Sequence, residues 1–555
     1  MIPRAPQSTL PTHEVVNTPP HLGDQALWDS DTALKSWTTS QGAGAHTGFL
    51  SRAGSRFGAA DVFCQADQAN RFPPQIRAFD RYGMRINQVE FHPAYHDLMS
   101  LAIEHEAPSF AWRNPGPGAH VGHAALTYMF SQAEGGVMCP MAMTYSAIPT
   151  LQTTPAIAKE WIPRVLSTSY DPRDIPVAGK SGATMGMFMT EKQGGSDVRT
   201  NTTRAVPEGS ATGAGAAYRV TGHKFFCSAP MCDAFLVLAR TEGGLSCFLM
   251  PRWRPDGTRN GLYIQRLKDK LGNRSNASSE MEFQDTHAVM VGEEGRGIRT
   301  IIDMVRGNRI YCAMSSAGLM RQALVQALHH VSHRTAFGKR LVDQPLMRNV
   351  LADLAIEVEA ELALGMRIAA AIDQAEAGGS EAALARLGTT VAKYWNCKRA
   401  PTQILEALEC LGGPGYIEES ILPRLYREAP INSIWEGSGN VMCLDVLRAA
   451  GREPETLDAF FAELEAARGG DTRLDAESAA LRSDFGQGGN LEIQARTLTE
   501  RMAIALQAAL LVRHAPAEIA DAFCASRLGR RWSGAYGTLP ATVNFDAVIR
   551  RAMPA

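Results

Sequence analysis

With 555 residues, the chain exceeds the usual size of a single hydrophobic core, so we expect three or four domains. Its 55 lysines and arginines nearly balance its 57 aspartates and glutamates, and a net charge of −2 excludes polyanion binding through bulk charge alone. No apolar run approaches the roughly 20 residues that cross a bilayer. The N-terminus also lacks the apolar core of a signal peptide. We therefore expect a cytoplasmic protein without membrane contact.

The ten cysteines are scattered along the chain. Cys227 and Cys232 form a close pair, but no second pair or suitably spaced histidine completes a metal site. His92 and His96 are four positions apart, yet Pro93 between them disfavours a helical pair of ligands. We therefore expect no metal ion, and interpret the cysteines as isolated thiols in a reducing compartment.

The N-terminal third is expected to be an extended arm followed by helices. The first thirty or so residues are rich in Pro and Thr. From residue 28 to 164, apolar residues at three- and four-residue spacings predict helices, for example over 97–103 and 123–130. The predicted N-terminal arm and α domain together cover residues 1–180.

The pattern changes between residues 181 and 296. The segments 218–226, 234–239, 245–250 and 279–283 are short, rich in strand-forming residues and bounded by turn residues. Because no helical pattern separates them, they predict a small antiparallel β domain.

Long helical patterns return between residues 297 and 450. They cover 301–332, 346–375 and 383–411, with a shorter one over 440–450, and predict a four-helix bundle. A helical appendix covers residues 451–555. The predicted fold class is therefore α+β: an N-terminal α domain, a middle antiparallel β domain, a C-terminal four-helix bundle and a helical appendix.

One candidate ligand loop covers residues 189–198. Gly194 and Gly195 allow close backbone approach to a ligand, while Thr190 and Ser196 offer hydroxyl groups. The glycine spacing does not match a dinucleotide-binding fingerprint. A purely structural turn is the alternative, because paired glycines also mark turns.

A second candidate begins at Arg334 and includes Phe337 and Gln344. Arg334 is suited to bind a phosphate and Phe337 to stack on a heterocycle. The alternative is a basic C-terminal helix cap. Further on, Gly412 and Gly413 belong to a segment with more glycines than one helix end needs.

The third candidate is the segment 434–440, Ile-Trp-Glu-Gly-Ser-Gly-Asn. Its carboxylate, Glu436, follows a large aromatic residue and precedes two glycines. Such a carboxylate suits a catalytic base held against a flat cofactor, whereas an ordinary polar turn is the alternative. A base in this setting would be desolvated, which raises its pKa toward working pH.

Taken in order, these motifs resemble the acyl-CoA dehydrogenase superfamily. The series is Met-Thr-Glu-Lys-Gln-Gly-Gly-Ser-Asp at 189–197, Leu-Lys-Asp-Lys-Leu-Gly-Asn-Arg-Ser at 267–275, Arg334 to Gln344, Leu-Gly-Gly-Pro-Gly-Tyr at 411–416 and the segment around Glu436. The amino-acid sequence of these motifs is more similar still to that of the AidB branch, which is associated with the adaptive response to DNA alkylation. This likeness extends from the arm to about Leu447 and then fades.

The resemblance implies an FAD protein that forms a homotetramer, built as a dimer of dimers. Glu436 matches the catalytic base, which would remove the α-proton of a small acyl-CoA while hydride leaves the β-carbon for FAD. Arg309 is predicted to lie in the substrate pocket. The implied FAD contacts are Met189, Thr190, Glu191, Lys192, Gln193, Gly194, Gly195, Ser196, Asp197, Val198, Ser228, Ala229, Pro230, Arg334, Phe337, Gln344, Gly412, Gly413, Ile434, Trp435, Gly437, Ser438, Gly439, Asn440 and Leu444. Of these, Arg334, Phe337, Gln344, Gly412 and Gly413 match positions that hold the pyrophosphate and adenine end, partly across a subunit interface.

The resemblance also implies double-stranded DNA as a partner, through the appendix. From Arg452 onward there are twelve arginines against fourteen acidic residues, whereas a DNA-binding module is normally basic. Arg527, Arg530 and Arg531 are the candidate DNA contacts, and a solvated helical face is the alternative. The expected function is DNA protection or detoxification of alkylating agents, with weak acyl-CoA dehydrogenation. The alternatives are a metabolic dehydrogenase for isovaleryl-CoA-like substrates without a DNA role, and a DNA-shielding protein with structural FAD.

Overall fold

The computed structural model describes residues 6–486, 491–529 and 534–554. Residues 6–26 contain no helix, as predicted for the arm. The N-terminal helices are α1 (Thr32–Thr38), α2 (Thr47–Phe57), α3 (Ala60–Arg71), α4 (Pro93–Glu104), α5 (Phe110–Arg113), α6 (Ala119–Ala133), α7 (Met138–Gln152) and α8 (Pro155–Val165).

An antiparallel hairpin, β1 (Gln75–Phe79) with β2 (Arg85–Glu90), interrupts these helices and was not predicted. Both strands are short and neither buries a full face: β1 alternates between exposed and partly buried residues, and β2 is mostly partly buried, with one buried residue, Val89. The connecting turn is held by Asp80, whose carboxylate accepts hydrogen bonds from the backbone of Tyr82 and Met84.

The middle domain contains a seven-stranded sheet. Its strands are β3 (Met185–Phe188), β4 (Arg204–Pro207), β5 (Ala217–Ser228), β6 (Ala234–Thr241), β7 (Gly244–Pro251), β8 (Leu262–Leu267) and β9 (Ser278–Val291). Most pairs are antiparallel, but β6 pairs with β3 and with β4 in parallel, which corrects the expectation of an antiparallel sheet. Parallel neighbours need long connections, and β6 follows β3 only after residues 189–233, which include β4 and β5.

The predicted bundle is formed by α9 (Gly297–His333), α10 (Pro345–Gln374), α11 (Gly379–Leu411) and α14 (Gly439–Arg452). Between α9 and α10 lies the short hairpin β10 (Thr335–Ala336) and β11 (Lys339–Arg340), and between α11 and α14 lie α12 (Gly413–Tyr416) and α13 (Ile421–Asn432). Every residue of α10 from 351 to 371 is buried. The helix contacts α6 of the N-terminal region on one side and the C-terminal helices on the other.

The appendix is helical, as predicted, and consists of α15 (Pro454–Glu465), α16 (Thr472–Gly486), α17 (Ala495–His514), α18 (Ala517–Arg527) and α19 (Phe545–Ala552). These helices pack on α10, α11 and α14, and their apolar residues join the core of the bundle. None of the helices in the described ranges has the length and apolar character needed to cross a membrane.

Two large hydrophobic cores organise the molecule, one among the helices and one around the β sheet. The partly buried rings of Phe91 and Trp435 pack against both. Trp435 directly precedes Glu436, so the candidate base lies at the junction of the helical and β regions.

Arg527 is buried, which corrects its prediction as a DNA contact. Its guanidinium lies 2.6 Å from the Asp353 carboxylate and 2.5 Å from that of Glu357, both on α10, and its side chain is only 2% exposed. Arg399 on α11 also contacts Glu357 at 2.6 Å. Arg527 therefore anchors the appendix to the bundle. Arg530 and Arg531 lie outside the described residues.

We expect Arg527→Ala to destabilise the protein, because it leaves the buried Asp353 without its cation and Glu357 with only Arg399. Breaking a buried ion pair from one side costs about 3–5 kcal/mol. Thermal unfolding followed by circular dichroism should show a clearly lower midpoint than wild type. The matched control is Arg468→Ala, which breaks the Glu465 pair of an arginine that is 74% exposed. Equal midpoints for the two variants would contradict this role.

Candidate active site

Glu436 lies in the turn between α13 and α14. Its backbone has φ 58°, a left-handed conformation that is uncommon for a residue other than glycine. Gly437 follows with φ 111°, and a Cβ built there would lie 2.3 Å from the Cε of Met442. A larger residue at 437 would therefore have to displace Met442, and the turn depends on glycine at this position.

Two buried cations hold the turn from two different bundle helices. Arg309 on α9 donates from Nε to the carbonyl oxygen of Glu436 at 3.1 Å. Lys393 on α11 donates from Nζ to the carbonyl oxygen of Gly437. Arg309 is 8% exposed and Lys393 is 1% exposed. Asn308 adds a long contact from Nδ2 to the Glu436 carboxylate, at 3.4 Å.

Asp445 on α14 forms an ion pair with Arg309 and holds its guanidinium in place. Its carboxylate lies 3.0 Å from the guanidinium of Arg309 and 3.0 Å from that of Arg386, and it accepts a hydrogen bond from Thr390. Burial acts to raise the pKa of Asp445, but Arg309 and Arg386 together hold that pKa below its ordinary value. Asp445 therefore stays ionised and keeps Arg309 aimed at the turn.

The carboxyl of Glu436 is surrounded by protein although the residue as a whole is only partly buried. Burial raises its pKa to about 7, while the charges of Arg309 and Lys393 and the contact with Asn308 act to lower it. A carboxylate with this pKa exists in both protonation states near neutral pH, as a general base requires.

The end of β5 approaches the Glu436 turn from the β domain. Ser228 bonds to Ser278 at 3.1 Å, and Ala229 has φ 51° and donates its N–H to Ala277. Cys139 belongs to the same hydrophobic core as Cys227 and Ala229, and Trp435 packs against that core. Burial raises the pKa of Cys139 to about 12, and the thiol also interacts with Ser228 and with the charge of Glu436. The structure thus brings the predicted segments 228–230 and 434–437 to one place.

The loop 189–198 is anchored by its own acidic residue. Glu191 is fully buried and lies 2.8 Å from the buried ammonium of Lys224. It also accepts hydrogen bonds from the backbone N–H groups of Thr202 and Thr203. Lys224 and these bonds hold the pKa of Glu191 well below its ordinary value although burial opposes them. The carboxylate of Glu191 thus has protein partners already, and its backbone N–H and carbonyl oxygen both bond to Gly194, so every polar group of Glu191 has a protein partner at the predicted FAD contact.

Among the other predicted contacts in this loop, the exposed residues are Lys192, Gln193, Gly195, Ser196 and Asp197; Met189, Thr190 and Gly194 are partly buried and Val198 is buried. Asp197 is paired with Arg199 at 2.8 Å. A Cβ at Gly195 would lie 2.6 Å from the hydroxyl of Thr190, so the close approach of the chain to itself requires glycine there.

The predicted pyrophosphate and adenine contacts lie far from Glu436 within one chain. Arg334 caps the C-terminus of α9, and it follows Arg309 by 25 positions, which corresponds to about 37 Å along a helix. Phe337 is 99% exposed with φ 52°, and Gln344 donates to the carbonyl oxygen of Ala336. Gly412 and Gly413 are exposed at the end of α11.

The remaining predicted contacts follow Glu436. Ile434 is 61% exposed and Leu444 38% exposed, whereas Gly439 is buried. Ser438 precedes the first turn of α14, and the side-chain oxygen of Asn440 accepts a hydrogen bond from Arg496 of the appendix at 2.8 Å. The bond from Arg496 connects the appendix directly to this segment.

Sequence reasoning missed Lys393, Asn308 and Asp445. Lys393 could have been suspected, because it is a lysine within a helical stretch whose neighbours are apolar or small. Buried lysines are rare unless they have a partner. Nothing in the sequence identifies that partner as the carbonyl group of a turn 44 positions later.

The predicted segments suit a flat dinucleotide cofactor. No atom lies within 4 Å of a Cβ built on Gly194, Gly412 or Gly413, so open space adjoins each of these loops. Three of the four residues with positive φ that are neither Gly, Asn nor Asp fall in the predicted cofactor or base segments, within the described chain: Ala229, Phe337 and Glu436. Backbone strain of this kind concentrates at ligand sites. The residues present therefore fit FAD.

Comparison with known proteins gives matches along nearly the whole chain. Residues 17–172 match the family described as the adaptive response protein AidB N-terminal domain. Residues 186–286 match the middle domain of acyl-CoA dehydrogenases, and residues 295–451 match their C-terminal domain.

AidB from Escherichia coli (strain K12) is 43% identical over 524 residues, covering 94% of this chain and 95% of the relative. Acyl-CoA dehydrogenase family member 11 from Caenorhabditis elegans is 32% identical over 79% of this chain and 73% of the relative. The crystal structure of Caenorhabditis elegans ACDH-11 in complex with C11-CoA has a TM-score of 0.84 and 27% identity, with 97% of each chain covered. This chain belongs to the acyl-CoA dehydrogenase family, in its AidB-type branch, and is thus an FAD-dependent oxidoreductase of the class that acts on CH–CH bonds.

Proposed function

We propose that this protein desaturates the α,β-bond of an acyl-CoA thioester with Glu436 as the catalytic base. The observation that carries the proposal is the Glu436 turn: a strained, desolvated carboxyl with a pKa near 7, held by two buried cations. The Caenorhabditis elegans structure with C11-CoA supports the substrate class, because its fold covers 97% of this chain.

The residues of this chain supply the proton transfer and its geometry. The Glu436 carboxylate takes the α-proton, which becomes acidic as charge moves to the thioester oxygen. The backbone N–H of Glu436 has no acceptor in the described part of the chain, so it is free to donate to that oxygen. The segments 189–198, 228–230 and 434–440 would hold FAD, which when bound would supply the hydride acceptor for the β-carbon. Trp435 and the surrounding core exclude water from this site.

The homotetramer implied by the resemblance is supported by exposed apolar residues around the outer cofactor positions. They are Phe337, Leu346, Tyr416 and Ile417, each more than half exposed in the single chain. Together with the distance between Arg309 and Arg334, this exposure supports an FAD that contacts two protomers. The apolar residues would then be buried between subunits rather than left in water.

A role in protecting DNA is a second candidate, with DNA or a small alkylating agent as partner. The description of the N-terminal family as an adaptive response protein and the match to AidB through the appendix favour it. Among the described arginines of the appendix, however, six pair with carboxylates: Arg468, Arg473, Arg501, Arg513, Arg527 and Arg551. The proposed phosphate contacts are therefore Arg550, which is exposed, and Arg530 and Arg531.

The first prediction tests the base. Glu436→Gln should bind FAD normally but bleach it at least 10²-fold more slowly on anaerobic mixing with acyl-CoA, since no carboxylate remains to take the α-proton. The measurement is stopped-flow absorbance with a panel that includes isovaleryl-CoA and C11-CoA. Glu455→Gln, an exposed carboxylate of α15, is the control and should behave as wild type. Bleaching of Glu436→Gln at the wild-type rate would show that another group is the base.

The second prediction concerns Lys393. Lys393→Met removes a cation that lowers the pKa of Glu436, so that pKa should rise and the acid limb of the rate profile should move upward by about one pH unit. The base acts when deprotonated, so the variant loses rate at pH values below its raised pKa, including neutral pH, and recovers it at higher pH. Lys393→Arg keeps the charge and should retain a profile near wild type. If the acid limb of Lys393→Met did not move, Lys393 would not act on the base.

The third prediction tests DNA binding by the complete flavoprotein. A fluorescent duplex should be retained at low salt and released as salt rises. The combined change of Arg530, Arg531 and Arg550 to Ala should weaken binding and lower the log–log salt slope by about 0.9 for each lost phosphate contact. Arg468→Ala, whose arginine is already paired with Glu465, is the control. Failure of the wild-type protein to retain DNA at low salt would end this candidate role.

A further inference from the structure

The N-terminal arm is attached to the segment that begins at Arg334. Asn17, with φ 60°, places its side-chain amide against Thr335. Its Nδ2 donates to the carbonyl oxygen of Thr335 at 2.9 Å, and its Oδ1 accepts from the N–H of Thr335 at 2.8 Å and from its hydroxyl at 2.9 Å. One amide therefore satisfies both backbone groups of Thr335, as a neighbouring strand would.

Two further contacts extend this attachment along α9. Arg334 donates from Nη1 to the carbonyl oxygen of Asn17 at 2.7 Å. His329 bonds through Nε2 to the carbonyl oxygen of Pro20, also at 2.7 Å. The arm thus lies along the last turn of α9 and the first residues after it, more than 300 positions away in sequence.

The attached segment has little support of its own. The β10–β11 hairpin has two residues in each strand, and isolated hairpins are marginally stable at best. At its tip, Phe337 has φ 52° and a side chain that is 99% exposed. Gln344 supports one side through the carbonyl group of Ala336. Asn17 supports the other edge, the side of Thr335 that does not face β11.

We propose that Asn17 is a positioning residue that fixes the segment 334–337 in the form that binds the pyrophosphate and adenine end of FAD. The inference rests on the proposed placement of FAD at Arg334 and Phe337. Asparagine meets both demands of the position, because it tolerates the left-handed backbone and its amide donates and accepts at once. Part of the guanidinium of Arg334 is committed to the arm, which leaves its other nitrogens for a phosphate.

The test uses the full chain as apoprotein, titrated with FAD and followed by flavin fluorescence. Asn17→Asp replaces the donor with a second acceptor facing the Thr335 carbonyl group, and Asn17→Gly keeps the backbone conformation but removes the amide. Each should raise the Kd for FAD about tenfold, the net worth of one or two hydrogen bonds. The matched control is Asn87→Gly: Asn87 also has positive φ and bonds through its amide, but in the β2 strand far along the chain.

The variant Arg334→Ala distinguishes an error in the role of Asn17 from an error in the proposed placement of FAD. If Arg334→Ala leaves the Kd unchanged, the cofactor placement is wrong. If Arg334→Ala weakens FAD binding and the Asn17 variants do not, the role of Asn17 is wrong.

Amide hydrogen exchange gives a readout that does not involve FAD. Exchange in the segment 334–340 should rise in Asn17→Gly and remain at wild-type levels in Asn87→Gly, at a concentration where sedimentation shows the same assembly. Unchanged protection of this segment in Asn17→Gly would overturn the proposal.

Discussion

The candidate site depends on two hydrogen bonds that buried cations donate to consecutive carbonyl groups. Arg309 and Lys393 come from α9 and α11, and both helices are packed into the core of the molecule. A left-handed conformation at a residue such as Glu436 costs about 1–3 kcal/mol. A hydrogen bond to a charged group contributes about 1.5–3 kcal/mol. The two cations are therefore sufficient to offset the strain, and they fix the direction in which the carboxyl points.

The same two cations act on the protonation of the carboxyl. Burial favours the neutral acid, whereas Arg309 and Lys393 favour the carboxylate, and the balance leaves the pKa of Glu436 at about 7. Asp445 limits one side of this balance, because its carboxylate pairs with Arg309 as well as with Arg386 and so offsets part of the charge of Arg309. The position of the turn and the basicity of the carboxyl are thus set by one network. A substitution within it changes both properties, so rate and pH profile need to be measured together.

Much of the fold could be predicted because long segments repeat one period. The bundle helices α9, α10 and α11 carry apolar residues over eight or more turns, and the predicted positions of the bundle helices agree with the structure to within a few residues. The β1–β2 hairpin was missed because its strands are short and together bury one residue, Val89, which leaves only a weak apolar pattern in the sequence. The parallel pairs of β6 were missed because pairing depends on connections across the sheet, which local sequence does not contain.

The predicted site residues show a similar division. The motif around Glu436 marks a position, but only the fold shows which side chains are free to act there. Glu191 illustrates this: its motif suggests a ligand loop, yet its carboxylate is directed inward to Lys224. Sequence patterns reveal buried apolar residues well, whereas a buried ion pair between distant residues looks like two exposed charges.

Arg527 is such a buried partner in the appendix. Asp353, Glu357 and Glu361 recur at four-residue spacing in the buried part of α10, so they lie on one face of the helix and require partners when that face is covered. Arg527 supplies the partner for Asp353 and, with Arg399, for Glu357. The net charge of the appendix is near zero, but it includes charged residues that form buried ion pairs with the bundle as well as charged residues that face water. The net charge of the appendix is therefore a poor guide to the charge of its surface. Whether the appendix can attract a polyanion depends on the arginines that remain after these ion pairs are made.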